Sequence, residues 1–147
     1  MNRGYESYFE ELPRLFDWMH LHRRAPEQPK FEVDITRPTE TQWYWLSVDG
    51  FPQQALQPVA WEKGAHPQKQ TIQGTITPGN TIIVGSGGER TTIRLSPDLI
   101  DFEKRIEVKI SGRSRMRDFA TPSAEALLED LRERGDRQRL YWVRLEF

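Results

Sequence analysis

The sequence predicts a mainly β (α+β) fold, in which a β-sandwich follows an amphipathic N-terminal helix and a second helix lies near the C-terminus. Several short stretches alternate apolar with polar residues and are separated by Gly, Pro, Asn or Asp, as is typical of strands joined by turns. Aromatic residues make up 11% of the chain although 29% of it is charged. This composition favours a globular domain with an aromatic core over a disordered chain.

The first stretch, from about Tyr5 to Arg23, has the spacing of an amphipathic helix. Its apolar residues recur at steps of three and four: Tyr5, Tyr8, Phe9, Leu12, Leu15, Phe16 and Met19, with Trp18 beside them. Acidic residues lie at its start and basic residues at its end, which is the order that the helix dipole favours. Pro13 predicts a kink or a restart of the helix. So wide an apolar stripe has to pack against another surface.

The segment Ala25–Pro29 contains two prolines among polar residues, which ends the helix and extends the backbone. We therefore divide the chain into a terminal helix at 1–24, a proline-containing linker at 25–30 and a β-rich domain at 31–147.

Within the β-rich domain, the apolar and β-branched residues predict seven strands. These strands cover 31–35, 43–48, 71–76, 81–84, 91–95, 105–110 and 140–147. A long loop joins the second strand to the third. Ser123 is expected to cap the second helix, which ends at Gly135. Arg113, Arg115 and Arg117 follow the turn at Gly112 and are expected in a solvated loop, with an anion or interface site as the alternative.

Composition limits the chemistry of the chain. Cysteine is absent, which excludes disulfides, thiolate metal sites and a cysteine nucleophile. The net charge of −1 disfavours non-specific binding of nucleic acid. No apolar run is long enough for a membrane span. His20 and His22 point to opposite sides of the helix and His66 is remote, so we expect neither a metal site nor a cofactor.

Candidate catalytic residues lack the context that catalysis needs. Ser86 and Ser96 stand outside a nucleophile elbow, so the chain alone is not expected to be an enzyme. Asp49, Asp98 and Asp101 each adjoin a turn signal, where aspartate serves backbone hydrogen bonds.

The tryptophans allow two interpretations. Trp43 and Trp45 share one face of the predicted strand at 43–48, and Trp61 lies in the following loop. These rings are expected to fill a core or to form contacts between domains. The alternative is a carbohydrate-binding face on which they stack against sugar rings.

Three stretches carry a resemblance to one family. They are RGYESYFEELPRLFDWMHLHRR, TIRLSPDLIDFEKRIEVKISGR and LLEDLRERGDRQRLYWVRLEF. The middle stretch contains the Leu-Ser-x-x-Leu-Ile-Asp pattern of Leu95 to Asp101, and a strand then ends at Ser111-Gly112. Together they resemble the closing helix and the following C-terminal β-rich domain of α/β-hydrolase-type esterases and prolyl-oligopeptidase-like hydrolases.

The resemblance implies a parent serine esterase or peptidase, exported from the cell, with its nucleophile and acid before residue 1. The family's histidine would be expected just after Gly4, where this chain has Tyr5. Tyrosine, with a reference pKa of about 10, does not shuttle protons near neutral pH as histidine does. No catalytic residue is therefore carried over.

These observations lead to one expected function and one alternative. We expect an immunoglobulin- or fibronectin-like sandwich that acts as a non-catalytic accessory domain, bracing an upstream hydrolase domain or mediating assembly. The expected contact residues are Tyr8, Phe9, Leu12, Phe16 and Met19. In the isolated chain this stripe has to fold back on the β domain or pair with a second copy, and we expect a homodimer through the helix. The alternative is a carbohydrate-binding module that uses Trp43, Trp45 and Trp61.

Overall fold

The structure, a computed structural model, describes residues 6–21, 27–36, 39–52 and 69–147. Two helices and nine strands occur in these ranges. In chain order they are α1 (Glu6–Leu21), β1 (Lys30–Ile35), β2 (Gln42–Trp43), β3 (Leu46–Asp49), β4 (Gln70–Ile76), β5 (Thr81–Gly85), β6 (Arg90–Leu95), β7 (Ile106–Ile110), β8 (Arg113–Asp118), α2 (Ala124–Arg134) and β9 (Val143–Glu146). The described part of the chain is thus mainly β with two helices, as the sequence predicts.

Five strands form one sheet in the order β1-β4-β5-β7-β8. Neighbouring strands are antiparallel except β5 and β7, which run parallel, with Ile82 opposite Val108. Burial alternates along β7, where Ile106, Val108 and Ile110 are buried and the two residues between them are half-exposed. One face of this sheet therefore points into the core and the other towards solvent.

The other sheet has four antiparallel strands in the order β2-β3-β6-β9. The predicted strand at 43–48 is wrong as a single strand, because the chain reverses between β2 and β3. Tyr44, with φ of 49°, occupies the left-handed region at this reversal, and Trp43 pairs with Leu46. The run of aromatic and β-branched residues concealed the turn, since none of the usual turn residues marks it.

Both sheets contribute to one hydrophobic core. The rings of Phe31 from β1 and Trp45 from the β2–β3 turn meet edge to face, with their centroids 5.4 Å apart. Gly74 of β4 leaves the space for them, because a Cβ there would lie 2.6 Å from Phe31 and 2.9 Å from Trp45. The two aromatic rings therefore pack closely against a strand that lacks a side chain at this position.

Helix α2 begins and ends as the sequence predicts. The Ser123 side chain accepts a hydrogen bond from the N–H of Ala126, and Gly135 ends the helix with φ of 68°. Asp130, which is buried, accepts hydrogen bonds from Arg134 and from the Tyr141 backbone N–H. Burial raises the pKa of the Tyr141 phenol to about 12. Helix α2 is thus anchored beside β9 by a buried carboxylate.

Two further predictions need correction. Helix α1 continues through Pro13 as one helix, which excludes the predicted restart, whereas the predicted kink stays a prediction. The arginines expected in a loop lie in strand β8, which pairs with β7. The turn between β7 and β8 contains Ser111 and Gly112 with φ of 48° and 78°. Two consecutive residues with positive φ form the tight turn of a β-hairpin, and the second strand follows directly.

Candidate functional site

The apolar side chains of Leu12, Leu15, Phe16 and Met19 form a stripe on helix α1, which we call the α1 face. Their spacing of three and four residues places them on the same side of the helix. All four are exposed, with 57% of Phe16 and 53% of Met19 accessible to solvent. Clustered exposed hydrophobic residues of this size mark surfaces that bind another polypeptide.

The α1 face stands outside the core that the two sheets share, since the core cluster of the described residues contains no residue of α1. Of the five predicted contact residues, Leu12, Phe16 and Met19 are seen to be exposed. Tyr8 and Phe9 lie within α1, but their side chains fall outside the described residues. Their contact with a partner stays a prediction.

The segment that precedes β1 forms hydrogen bonds with the β domain at three consecutive residues. Glu27 Oε2 accepts a hydrogen bond of 2.6 Å from the Ser96 hydroxyl. The carbonyl of Gln28 accepts one of 2.8 Å from the Trp45 indole, and that of Pro29 accepts one of 2.6 Å from the N–H of Ile76. We call residues 27–29 the clasp. This part of the predicted linker is therefore held in a defined position.

Within the clasp, the carboxyl group of Glu27 has a shifted pKa. Burial raises the pKa of Glu27, and the charge of Asp98 raises it further. The hydrogen bond from Ser96 and the positive charges of Arg134 and Arg139 oppose this shift. Because burial is the largest of these influences, the carboxyl group holds its proton to a higher pH than an ordinary glutamate.

The tryptophans proposed for sugar binding are not equally accessible. Trp45 has 0% of its surface exposed, and Trp43 is half-buried against the core. Trp61 lies outside the described residues. Trp45 therefore has no free ring face on which a sugar could stack, and it serves instead as a core residue and a hydrogen-bond donor to the clasp.

Two of the residues considered for catalysis, Asp101 and Ser96, make hydrogen bonds within the fold. Asp101 pairs with Lys104 and accepts a hydrogen bond from the N–H of Glu103, which together lower the pKa of its carboxyl group. Asn80, buried and with φ of 58°, binds the backbone of Asp101 through both side-chain groups. Ser96 donates to Glu27.

No group of three or more His, Asp or Glu residues able to hold a metal occurs in the part of the chain that is described. His20 lies in the last turn of α1, whereas His22 and His66 are outside the described residues. Within the same part, no helix combines the length and apolar character needed to cross a membrane.

Strand β8 provides a second exposed surface, in a segment for which the sequence predicts a loop. It lies at the edge of the five-stranded sheet, and all its residues except Met116 are exposed. Arg113, Arg115 and Arg117 lie along it. The Ser-Gly turn that precedes it was the signal for a hairpin, and the alternation of arginine with smaller or apolar residues fits the second strand.

Comparison of the chain with protein-family models, with curated proteins and with solved structures gave no match. The class that the geometry itself defines is a two-sheet β domain that presents an exposed amphipathic helix.

Proposed function

We propose that this chain is a non-catalytic accessory domain of a serine esterase or peptidase, and that α1 is the closing helix of the neighbouring α/β-hydrolase domain. The β domain would brace the hydrolase domain or help it to assemble. The resemblance of three stretches of sequence names this partner, and the exposed α1 face is the observation that carries the proposal.

The physical support lies in the cost of leaving the α1 face in water. Full burial of a Phe, Leu or Met side chain is worth about 1.5–3 kcal/mol. Four such side chains on one stripe therefore favour a helix that is covered. A groove of a hydrolase domain would bury the stripe while the acidic and basic residues on the other side of α1 remain in water.

The clasp supports the bracing role. A domain braces its neighbour only when the connection between them is stiff. The three consecutive hydrogen bonds of residues 27–29 fix the point at which the chain enters the β domain. The end of the connection that enters the β domain is therefore held in place.

In its finer classification we infer an immunoglobulin- or fibronectin-like sandwich, because two sheets of short strands enclose one core that is rich in aromatic and branched residues. The parallel pairing of β5 with β7 is a local departure from the all-antiparallel form of those domains.

The proposal is tested first by reading the coding sequence that precedes the codon for Met1. We expect it to encode Gly-x-Ser-x-Gly between a predicted strand and a predicted helix. A stop codon in frame, or a domain without this motif, would overturn the assignment to a hydrolase.

The second test uses the protein with that preceding domain. Phe16→Glu should lower its free energy of unfolding by about 3 kcal/mol or more, since it places a charge in a buried contact. Arg14→Glu changes a residue that is exposed and lies on the opposite side of α1, so it serves as the matched control with an effect within about 0.5 kcal/mol. Equal, small effects of both variants would show that the α1 face stays in water.

Tryptophan fluorescence distinguishes this proposal from the alternative, a carbohydrate-binding module. Binding through Trp43, Trp45 and Trp61 would shift tryptophan emission when a polysaccharide is added. The burial of Trp45 favours an emission spectrum that does not respond.

A further inference from the structure

We propose that the exposed edge of β8 binds an extended acidic segment of a partner protein, which adds to the five-stranded sheet as its next strand. This surface, the β8 edge, is defined by strand β8 (Arg113–Asp118) and its three arginines. It is separate from the α1 face and does not depend on the identity of the hydrolase domain.

Among the residues that the structure describes, one side of the β8 backbone is unpaired. Strand β8 is the last in the sheet order, and β7 occupies only one of its two sides. An edge strand offers a row of N–H and C=O groups that a further strand can use. A partner segment that adds here gains main-chain hydrogen bonds whatever its side chains are, so the side chains supply the selectivity.

The three arginines of the β8 edge have no acidic partner among the described residues. Of the other described arginines, Arg94, Arg134 and Arg144 each contact a carboxylate, whereas Arg137 and Arg139 do not. Glu89 lines the same surface depression as Arg113 and Arg115 without pairing with either, and two other acids near β8 are engaged elsewhere. Glu107 lies 3.3 Å from Lys109, and the Asp118 carboxylate accepts a hydrogen bond from the Phe119 N–H. The three guanidinium groups on this exposed strand are therefore free to pair with carboxylates of a partner, although Glu89 and Glu107 nearby offset part of their charge.

The pairing of β8 with β7 places the three arginines on different faces of the sheet. Arg117 lies opposite Glu107, whose side chain is on the outer face, whereas Arg113 lies opposite Ile110, which faces the core. Arg115 falls at the irregularity in pairing between Val108 and Lys109. A strand that approaches the edge thus meets guanidinium groups on both faces, and these groups bind carboxylates with two parallel hydrogen bonds.

The three arginines also disfavour a second copy of β8 as the strand that pairs with this edge. Edge-to-edge pairing of two copies would place arginines against arginines, and like charges directly opposite each other destabilise a strand pair. A segment with acidic side chains on both faces turns this repulsion into attraction. Charge complementarity therefore selects an acidic extended segment.

The test uses the whole chain and a short fluorescent peptide that repeats Glu-Glu-Thr-Thr, which has glutamates on both faces of a strand. The triple variant Arg113→Gln/Arg115→Gln/Arg117→Gln should weaken binding about tenfold or more, as three exposed ion pairs and their desolvated contacts are lost. The matched control, Lys30→Gln/Arg137→Gln/Arg139→Gln, removes the same charge from exposed residues outside β8 and should bind within about twofold of the unchanged protein.

Strand addition makes two further demands. Methylation of alternate peptide nitrogens on the edge-facing side should abolish binding, because it removes the donors for the sheet. Heparin, a polyanion without a strand backbone, should bind at least about tenfold more weakly per charge than the peptide. The proposal is overturned if no peptide binding occurs, if the control weakens binding as much as the β8 variant, or if the methylated peptide or heparin binds equally well. Circular dichroism of each variant confirms that it is folded.

Discussion

Arg94 Nη2 lies 2.8 Å from Glu133 Oε2, and this ion pair joins strand β6 to helix α2. Only 7% of the Arg94 side chain is exposed, and its other terminal nitrogen donates to the Ser47 hydroxyl on β3 at 2.6 Å. Glu133 also accepts from Arg144 on β9. One glutamate thus connects a helix with two strands of the four-stranded sheet and neutralises a buried guanidinium group.

Glu133→Gln is expected to lower the free energy of unfolding by about 1–3 kcal/mol, because the buried charge of Arg94 loses its counter-charge. Urea unfolding monitored by circular dichroism measures this change. Glu129→Gln removes an exposed pair with Arg132 on the same helix and should cost less than about 1 kcal/mol. Equal effects of the two substitutions would contradict a structural role for the Arg94–Glu133 pair.

Gly74→Ala is expected to destabilise the protein by about 1–3 kcal/mol, since the added Cβ would overlap the rings of Phe31 and Trp45 in a packed core. Gly79→Ala is the control. The nearest atom to a Cβ at Gly79 is 3.9 Å away, and the change should be neutral or slightly stabilising. Thermal unfolding compares the two variants. If Gly74→Ala is tolerated as well as Gly79→Ala, the close packing of the two rings against β4 is wrong.

Glu27→Gln is expected to alter how stability depends on pH. The folded pKa of Glu27 is raised above its unfolded value, so the folded state binds the extra proton between these two values. The contribution of Glu27 is therefore fully present below the unfolded pKa, near 4.5, and is lost as pH rises through the raised folded pKa. Above that pH the variant should gain stability relative to the unchanged protein.

Melting temperatures measured from mildly acidic to neutral pH for both proteins give this difference directly. Lysine partners lower the pKa values of Asp34 and Asp101, so these groups change stability with pH in the opposite direction. Both proteins contain them, so their contribution cancels when the two proteins are compared. A difference that is constant with pH would mean that Glu27 titrates as an ordinary glutamate.

The isolated chain is expected to form a dimer through the α1 face, because two copies of the stripe can bury each other. Sedimentation velocity over a range of concentrations should show reversible dimers, which Phe16→Glu/Met19→Glu dissociates. Arg14→Glu, on the other side of α1, should leave the dimer intact. A monomer at every concentration, or a dimer that survives the double substitution, would exclude this mode of assembly.

Much of the fold is predictable from local pattern. The alternation of Phe31, Val33 and Ile35 with charged residues predicts β1, and Ser123 and Gly135 mark the two ends of α2. These signals succeed because caps and alternation depend on residues close together in the chain. The β2–β3 reversal escaped prediction because Tyr44 adopts a left-handed conformation that its residue type disfavours. Strand β8 escaped because its arginines resemble a solvated loop.

Local sequence likewise determines some features of the candidate sites, and tertiary structure determines the others. The spacing of Leu12, Phe16 and Met19 by itself determined an apolar helix face, and the absence of cysteine by itself excluded thiol chemistry. Only the tertiary structure decided that Trp45 is buried, that Glu27 binds Ser96 across 69 positions of the chain, and that β8 has an open edge. These properties depend on which distant segments meet, and the free energy of such contacts is set by burial and pairing that local sequence does not encode.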